Sequence, residues 1–128
     1  MRVTRTSCFG FRNGKGVVMA STPRPGQQVR GSTTGRPLMA ALDLLGRRWA
    51  LRVLWELRDG PLGARNLREH CDAMSSSVLY ERLRELTAAG LVHHRADDRY
   101  ELTRIGRSLS VAIAPLEKWA TSWAASTQ

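Results

Sequence analysis

Apolar residues recur along this chain with two different periods, and the change from one to the other lays out the elements. From Pro37 onward, Leu38, Ala41, Leu42 and Leu45 follow at helical spacing, with Pro37 suited to a first turn and Gly46 to a stop. A second, strongly apolar helix is predicted through Leu51, Val53, Leu54, Trp55 and Leu57, closed by Asp59-Gly60-Pro61. The stretch "GARNLREHC" predicts a short helix carrying Leu67, and "CDAM" a turn. The stretch "SSSVLYERLRELTAAGLV", Ser75 to Val92, then predicts a helix with Ser75 as N-cap and Leu79, Leu83 and Leu86 on its buried side. Beyond Ala88-Ala89-Gly90 the period shortens, and "LVHHRADDRYELT" reads as a hairpin turning at Asp97 and Asp98. A last helix carries Ile105, Leu109, Ile113, Leu116, Trp119 and Trp123 near one face. Pro115 lies inside it, where a missing N–H and a ring clash predict a kink or a break into two helices.

The order is helix, helix, helix, turn, helix, hairpin, helix. Two short helices joined by three or four residues, the second better capped, have the sequence form of a helix-turn-helix. The fold class expected is mainly α with a small β hairpin (α+β): a winged helix-turn-helix over residues 37–126 with additional N- and C-terminal helices. Residues 1–36 are rich in Gly, Ser, Thr, Arg and Pro and poor in large apolar side chains. Such a segment buries too little surface to offset its ordering entropy, so a disordered basic tail is expected there. Met19, in "VVMASTPRPG", is a candidate alternative start.

Charge sharpens the division. The chain carries a formal +9, yet seven Lys or Arg and no acid stand before Asp43, leaving thirteen basic and eleven acidic residues for the rest. The tail therefore holds most of the excess, and a polyanionic partner is suggested more by the tail than by the domain. Cys8 and Cys71 have no zinc or disulfide spacing. No apolar run approaches the roughly 20 residues that cross a bilayer. The N-terminus has no continuous apolar core of the signal-peptide kind, and its glycines and prolines argue against the amphipathic helix of a transit peptide.

On a helical wheel the face opposite the three leucines of the Ser75–Ala88 helix carries Ser77, Glu81, Arg84 and Ala88, flanked by Tyr80, with Ser76 and Ser77 at its N-terminal end. Arg82 lies near the core edge, suited to a phosphate or an internal carboxylate. An amphipathic helix with a solvated polar face explains such a pattern by itself. The turn before and the hairpin after favour a recognition helix, with hydroxyls for phosphates or base edges, glutamate for cytosine N4 and arginine for guanine. Candidate DNA-binding residues are accordingly Ser75, Ser76, Ser77, Tyr80, Glu81, Arg82, Arg84 and, flanking the hairpin turn, Arg95 and Arg99. Glu81 reads equally as a discriminator or as an ion-pair partner.

The chain resembles the HxlR family of bacterial winged helix-turn-helix transcriptional regulators, within the MarR-like superfamily. The resemblance spans Pro37 to Trp123 and is carried by "ALDLLGRRWALRVLWEL", "DGP" followed by "NLRE", "SSSVLYERLRELTAAGLV" and "YELTRIGRSL" with Trp119 downstream. It implies a cytoplasmic homodimer on an operator near the genes it controls, with the terminal helices forming the dimer interface and the Ser75–Ala88 helix in the major groove. Four tryptophans in a domain of this size agree with an interface, for which Leu38, Leu42, Leu116, Trp119 and Trp123 are candidates. Three departures are visible. Redox-responsive members carry a cysteine just before the first helix, where this chain has Arg36; the wing is shorter and lacks prolines; and Ser76 and Ser77 stand where the family usually has Pro and a basic residue.

Two competing readings belong to other classes. One is a winged-helix protein-interaction module with little DNA affinity, in keeping with the near-neutral domain. The other is a metal or thiol sensor using His70, Cys71, His93 and His94, disfavoured because neighbours on a strand point to opposite faces. No nucleophile–base grouping, phosphate loop or carboxylate pair suggests an enzyme, and no cofactor is implied. A small-molecule effector is left open.

Overall fold

A computed structural model describes residues 22–72 and 74–127. Five helices and three strands follow in the order α1 (Pro37–Leu45), α2 (Ala50–Glu56), β1 (Leu62–Gly63), α3 (Ala64–His70), α4 (Ser76–Ala88), β2 (Val92–His94), β3 (Arg99–Leu102) and α5 (Arg104–Ser126). The winged helix-turn-helix read from the pattern is therefore present, with α1 and α5 as the added helices. The two-residue strand β1 is an addition, too short to leave any alternation in the sequence. It pairs antiparallel with β3, Leu62 opposite Tyr100, so that β3 is the central strand of a three-stranded sheet.

Leucines from every layer meet in one core. Val53 and Leu57 of the α2 region, Leu67 of α3, Leu79, Leu83 and Leu86 of α4, and Val92 of β2 are each at most 2% exposed. Tyr100 and Leu102 close the core from the sheet. The three α4 leucines lie at the spacing that puts them on one helix face, and that face is wholly covered. Ser75 caps α4 as expected, its hydroxyl accepting from the Val78 N–H at 3.2 Å. The preceding turn is tied to α2 by Arg52, which donates to Glu56 at 2.8 Å and to the His70 carbonyl at 2.6 Å and lies 3.4 Å from Asp72. These bonds set where α3 stops, and so how α4 leaves the turn.

Thr103 caps α5, and Gly106 lets that helix approach the sheet: a Cβ there would stand 2.2 Å from the Leu91 carbonyl oxygen. Any side chain at Gly106 would push α5 off the domain.

The expectations need two corrections. Of the kink or break expected at Pro115, the break is not found: the last helix runs from Arg104 to Ser126 as one element. Proline leaves the Val111 carbonyl without its helical partner. Val111 is 74% exposed, so the missing bond lies on the solvent side of the helix. The second correction concerns the tail, of which residues 1–21 lie outside the described residues. Residues 22–36, read from composition as disordered, form hydrogen-bonded turns. Val29 and Ser32 make a β-bridge, and the Gly26 N–H donates to the Gly35 carbonyl at 2.9 Å. Ser32 Oγ accepts from the Gly35 and Arg36 N–H groups at 3.1 Å each, at the entrance to α1. Gly35, at φ +71°, passes so close to Gln27 that no Cβ fits. Pro23 is buried, and the Arg24 guanidinium reaches the Ala88 carbonyl at the end of α4 at 3.4 Å. A few fixed contacts of this kind anchor a segment whose average composition is polar.

Candidate nucleic-acid interface

The outward face of α4 is open. Ser75, Ser76 and Ser77 are exposed at its N-terminus, Tyr80 is 49% exposed, and Arg84 points to solvent without an ion pair among the described residues. Ser75 and Ser77 hydroxyls lie 3.3 Å apart, so the serine cluster is locally ordered by the cap. Glu81 is half-buried at the edge of the same face.

Arg82 behaves differently from the expectation that grouped it with the DNA contacts. Its guanidinium is only 14% exposed and is held by Glu85, one turn on, and more loosely by Glu81 at 3.5 Å. Glu85 in turn takes Arg47 Nη1 at 2.6 Å. An acid of α4 is thereby clamped between an arginine of its own helix and one from the corner between α1 and α2. Arg82 Nε is buried with no hydrogen-bond partner among the described residues, so the clamp is not fully satisfied. Arg82 is thus tied to acids of its own helix and largely covered. The sequence hinted at this by placing Arg82 near the core edge, but Arg47, 38 positions from Glu85, left no signal.

The wing stands beside α4 on the other side. Val92 faces Leu102, and His94 faces Tyr100 across the ladder. The turn is closed by Arg95 N–H to the Arg99 carbonyl at 2.7 Å, with Asp98 in the left-handed region at φ +67° and Asp97 accepting from the Arg99 N–H. Asp97 and Asp98 thus occupy the turn, as their residue types predicted. The two wing arginines have unlike surroundings. Arg95 lies between Asp97 at 2.9 Å and Glu101 at 3.7 Å, which offset its charge, whereas Arg99 is exposed and has no ion pair among the described residues. Of the pair proposed from sequence, Arg99 is the one whose charge is available.

His94 stacks on Tyr100 with ring centroids 4.2 Å apart and sits 2.7 Å from Asp98. Together with Tyr80, Arg84 and Thr87 these rings line a cleft of about 460 Å³ between α4 and the wing. Burial is the main reason that the Tyr100 phenol is raised above its ordinary pKa, with Tyr80 nearby adding to it. Tyr100 is therefore a neutral hydrogen-bonding group at any physiological pH.

The remaining candidates fall elsewhere. Cys71 is fully buried, and its thiol is raised chiefly by that burial. His70 Nδ1 lies 3.5 Å from Glu56, and no group of three metal-ligating side chains gathers among the described residues. Leu38, Leu42, Leu116, Trp119 and Trp123 are all at least half exposed, and the two tryptophans stack on each other at 5.6 Å. No helix among the described residues is long and apolar enough to cross a membrane.

The same architecture is found in known proteins. The family model described as HxlR-like helix-turn-helix matches residues 44–128. The chain belongs to the HxlR family. Among curated relatives, the HTH-type transcriptional regulator YybR of Bacillus subtilis is 30% identical over 94 residues, covering 69% of this chain and 75% of YybR. Among solved structures, the quinone-bound YodB of B. subtilis superposes with a TM-score of 0.64 at 30% identity, covering 67% of this chain and 96% of YodB. The reduced redox regulator HypR gives 0.60 at 29% identity, over 67% of this chain and 91% of HypR. This HxlR-family chain is a helix-turn-helix transcriptional regulator.

Proposed function

We propose that the protein is a cytoplasmic homodimer that binds a specific operator in double-stranded DNA near the genes it controls. The observation that carries the DNA reading is the outward face of α4. Three serines at a capped N-terminus and Tyr80 are exposed there, and Arg84, like Arg99 of the neighbouring wing, is exposed with no ion pair among the described residues. In this reading α4 enters the major groove with its N-terminal residues towards base edges, and Arg84 supplies a fork for guanine. Arg99 takes a backbone phosphate. Glu81, half-buried and near Arg82, tolerates only registers that keep phosphates away from it.

The dimer reading rests on the outer half of α5. Leu116, Trp119 and Trp123 form one stripe left at least half exposed by the described residues, and Leu38 and Leu42 of α1 are exposed as well. An apolar surface of this kind on a small domain marks an association site. A two-fold axis between the α5 helices would let both copies use the same patch and would set two α4 helices against successive turns of the duplex.

Selection of duplexes from a random-sequence pool by the full chain tests the reading. A recurrent palindromic or pseudo-palindromic site is expected. No enrichment, with no salt-dependent binding to any duplex, would favour the protein-interaction module instead.

A further inference from the structure

The α4 face lies between two flanks, and only the wing flank has been given a role. On the other flank is a cleft of about 450 Å³, lined by Arg30, Arg47, Arg48 and Arg82 with Glu81 and Glu85. Four arginines against two glutamates leave a formal excess of two positive charges in a domain that is otherwise nearly balanced. The clamp described above accounts for part of this set. Glu85 holds Arg47 and Arg82 in place, and those two arginines form the inner wall.

The outer wall is not used that way. Arg48 is exposed at the corner between α1 and α2, with its guanidinium 5.7 Å from the Trp49 ring and no ion pair among the described residues. Arg30 reaches over from the N-terminal segment. Its backbone N–H is anchored to Asp43 at 3.2 Å, while its side chain is 89% exposed and only loosely near that carboxylate at 3.7 Å. The ordered turns of residues 22–36 are what bring this cation to the cleft.

A helix seated in the major groove, roughly 12 Å wide, has a phosphate strand on each side. On one side of α4 stands the wing with Arg99, and on the other stands this corner. We infer that the cleft at the α1–α2 corner is a second phosphodiester-binding site, with Arg48 as the principal contact and Arg30 as its support, gripping the strand opposite the one that the wing meets. Arg47, Arg82 and Glu85 are positioning residues for it. The inference rests on the DNA-binding reading above and deepens it. It also explains how a recognition helix with hydroxyls and mixed charge on its face is held on DNA: the cations stand at its flanks.

The test measures binding of full-length wild type, Arg48→Ala, Arg48→Glu and Arg84→Ala across a salt series. One probe is a duplex selected by the wild-type chain, and the other is a random-sequence duplex. Loss of one phosphate contact should make the log–log salt slope less negative by about 0.9 for Arg48→Ala, with Arg48→Glu weaker still. Both Arg48 variants should keep the wild-type preference for the selected duplex, because phosphates carry no sequence information, while Arg84→Ala should lose part of it. Replacing single phosphates of the selected duplex by methylphosphonates should locate one position whose neutralisation weakens wild type but not Arg48→Ala.

Unchanged slopes in both Arg48 variants, with a steep wild-type slope and unaltered thermal unfolding, would overturn the corner site and leave the DNA reading standing. A changed sequence preference in Arg48→Ala would overturn the phosphate assignment in favour of base reading. Inorganic phosphate is the alternative occupant: if it raises the unfolding temperature at constant ionic strength only when Arg48 is present, and the duplex slopes do not move, the cleft is a free-anion site and the inference fails. Absence of any wild-type duplex binding would remove both readings together.

Discussion

Helices α4 and α5 are both amphipathic, yet they dispose of their apolar faces in opposite ways. In α4 the leucines at 79, 83 and 86 are at most 1% exposed, packed under α2, α3 and the sheet. In α5 only Gly106 is buried, and Leu116, Trp119 and Trp123 are left half or more in solvent. The same periodicity thus has two meanings. Where neighbouring elements cover it, an apolar stripe fixes the helix and leaves the opposite face to solvent. Where no described residue covers it, the stripe is left to solvent, and in the proposed dimer it is the association surface. A 23-residue helix, about 34 Å long at 1.5 Å per residue, outreaches a domain this small, so its far half is left exposed by the described residues.

The contrast can be broken first at its strongest point. Leu83→Ala should cost about 3 kcal/mol of folding stability, read by denaturant unfolding, because the site is enclosed on all sides and cannot collapse around the loss. A cost below about 1 kcal/mol would mean that α4 is not anchored as described. Leu116→Asp should leave unfolding of the domain nearly unchanged while converting dimer to monomer in light scattering. A dimer that persists would show that the exposed stripe is not the interface.

Next in size is the clamp behind α4. Glu85→Gln removes the charge shared by Arg47 and Arg82 and should destabilise by about 2 kcal/mol, since two poorly hydrated guanidinium groups then lose the carboxylate that both hold. A neutral outcome in thermal unfolding would demote the clamp to a passive contact. Arg84→Ala, on the free face, should be silent in stability and cost about 1–2 kcal/mol of binding to the selected duplex, with a smaller loss on random DNA. Equal losses on both would remove its base-reading role.

The smallest effect is alkaline. The Cys71 thiol is raised by burial, so its folded pKa lies above its unfolded one. Its contribution to stability is complete below the ordinary thiol range and is lost as pH rises through the folded value. Unfolding should therefore become slightly easier above about pH 9, and alkylation of Cys71, followed by peptide mass mapping, should be much faster in denaturant than in buffer. Equal rates would contradict its burial.

Truncation separates the N-terminal segment into two parts. Removing residues 1–21 should lower affinity through lost basic charge and leave sequence preference intact, as judged by the two duplexes. Removing 22–36 as well should also lower stability, because Pro23 and the Arg24 bond to Ala88 go with it.

By itself, the sequence determined the order of the elements, the inner and outer faces of α4 and the Ser75 cap, because each depends on spacing within a few residues. It also exposed the stripe of Leu116, Trp119 and Trp123 as one face of one helix. Tertiary structure alone decided which charged groups are free. Arg82 and Arg84 are two residues apart and chemically identical, yet Arg82 is held by Glu85 and Arg84 faces solvent. Arg95 and Arg99 flank one turn, and only the first meets Glu101 across the ladder. The strand β1 and the turns of residues 22–36 likewise depend on partners far along the chain, Tyr100 for one and Asp43 and Ala88 for the other. Local periodicity fixes where a side chain points, but whether its charge is spent depends on what the fold brings opposite it.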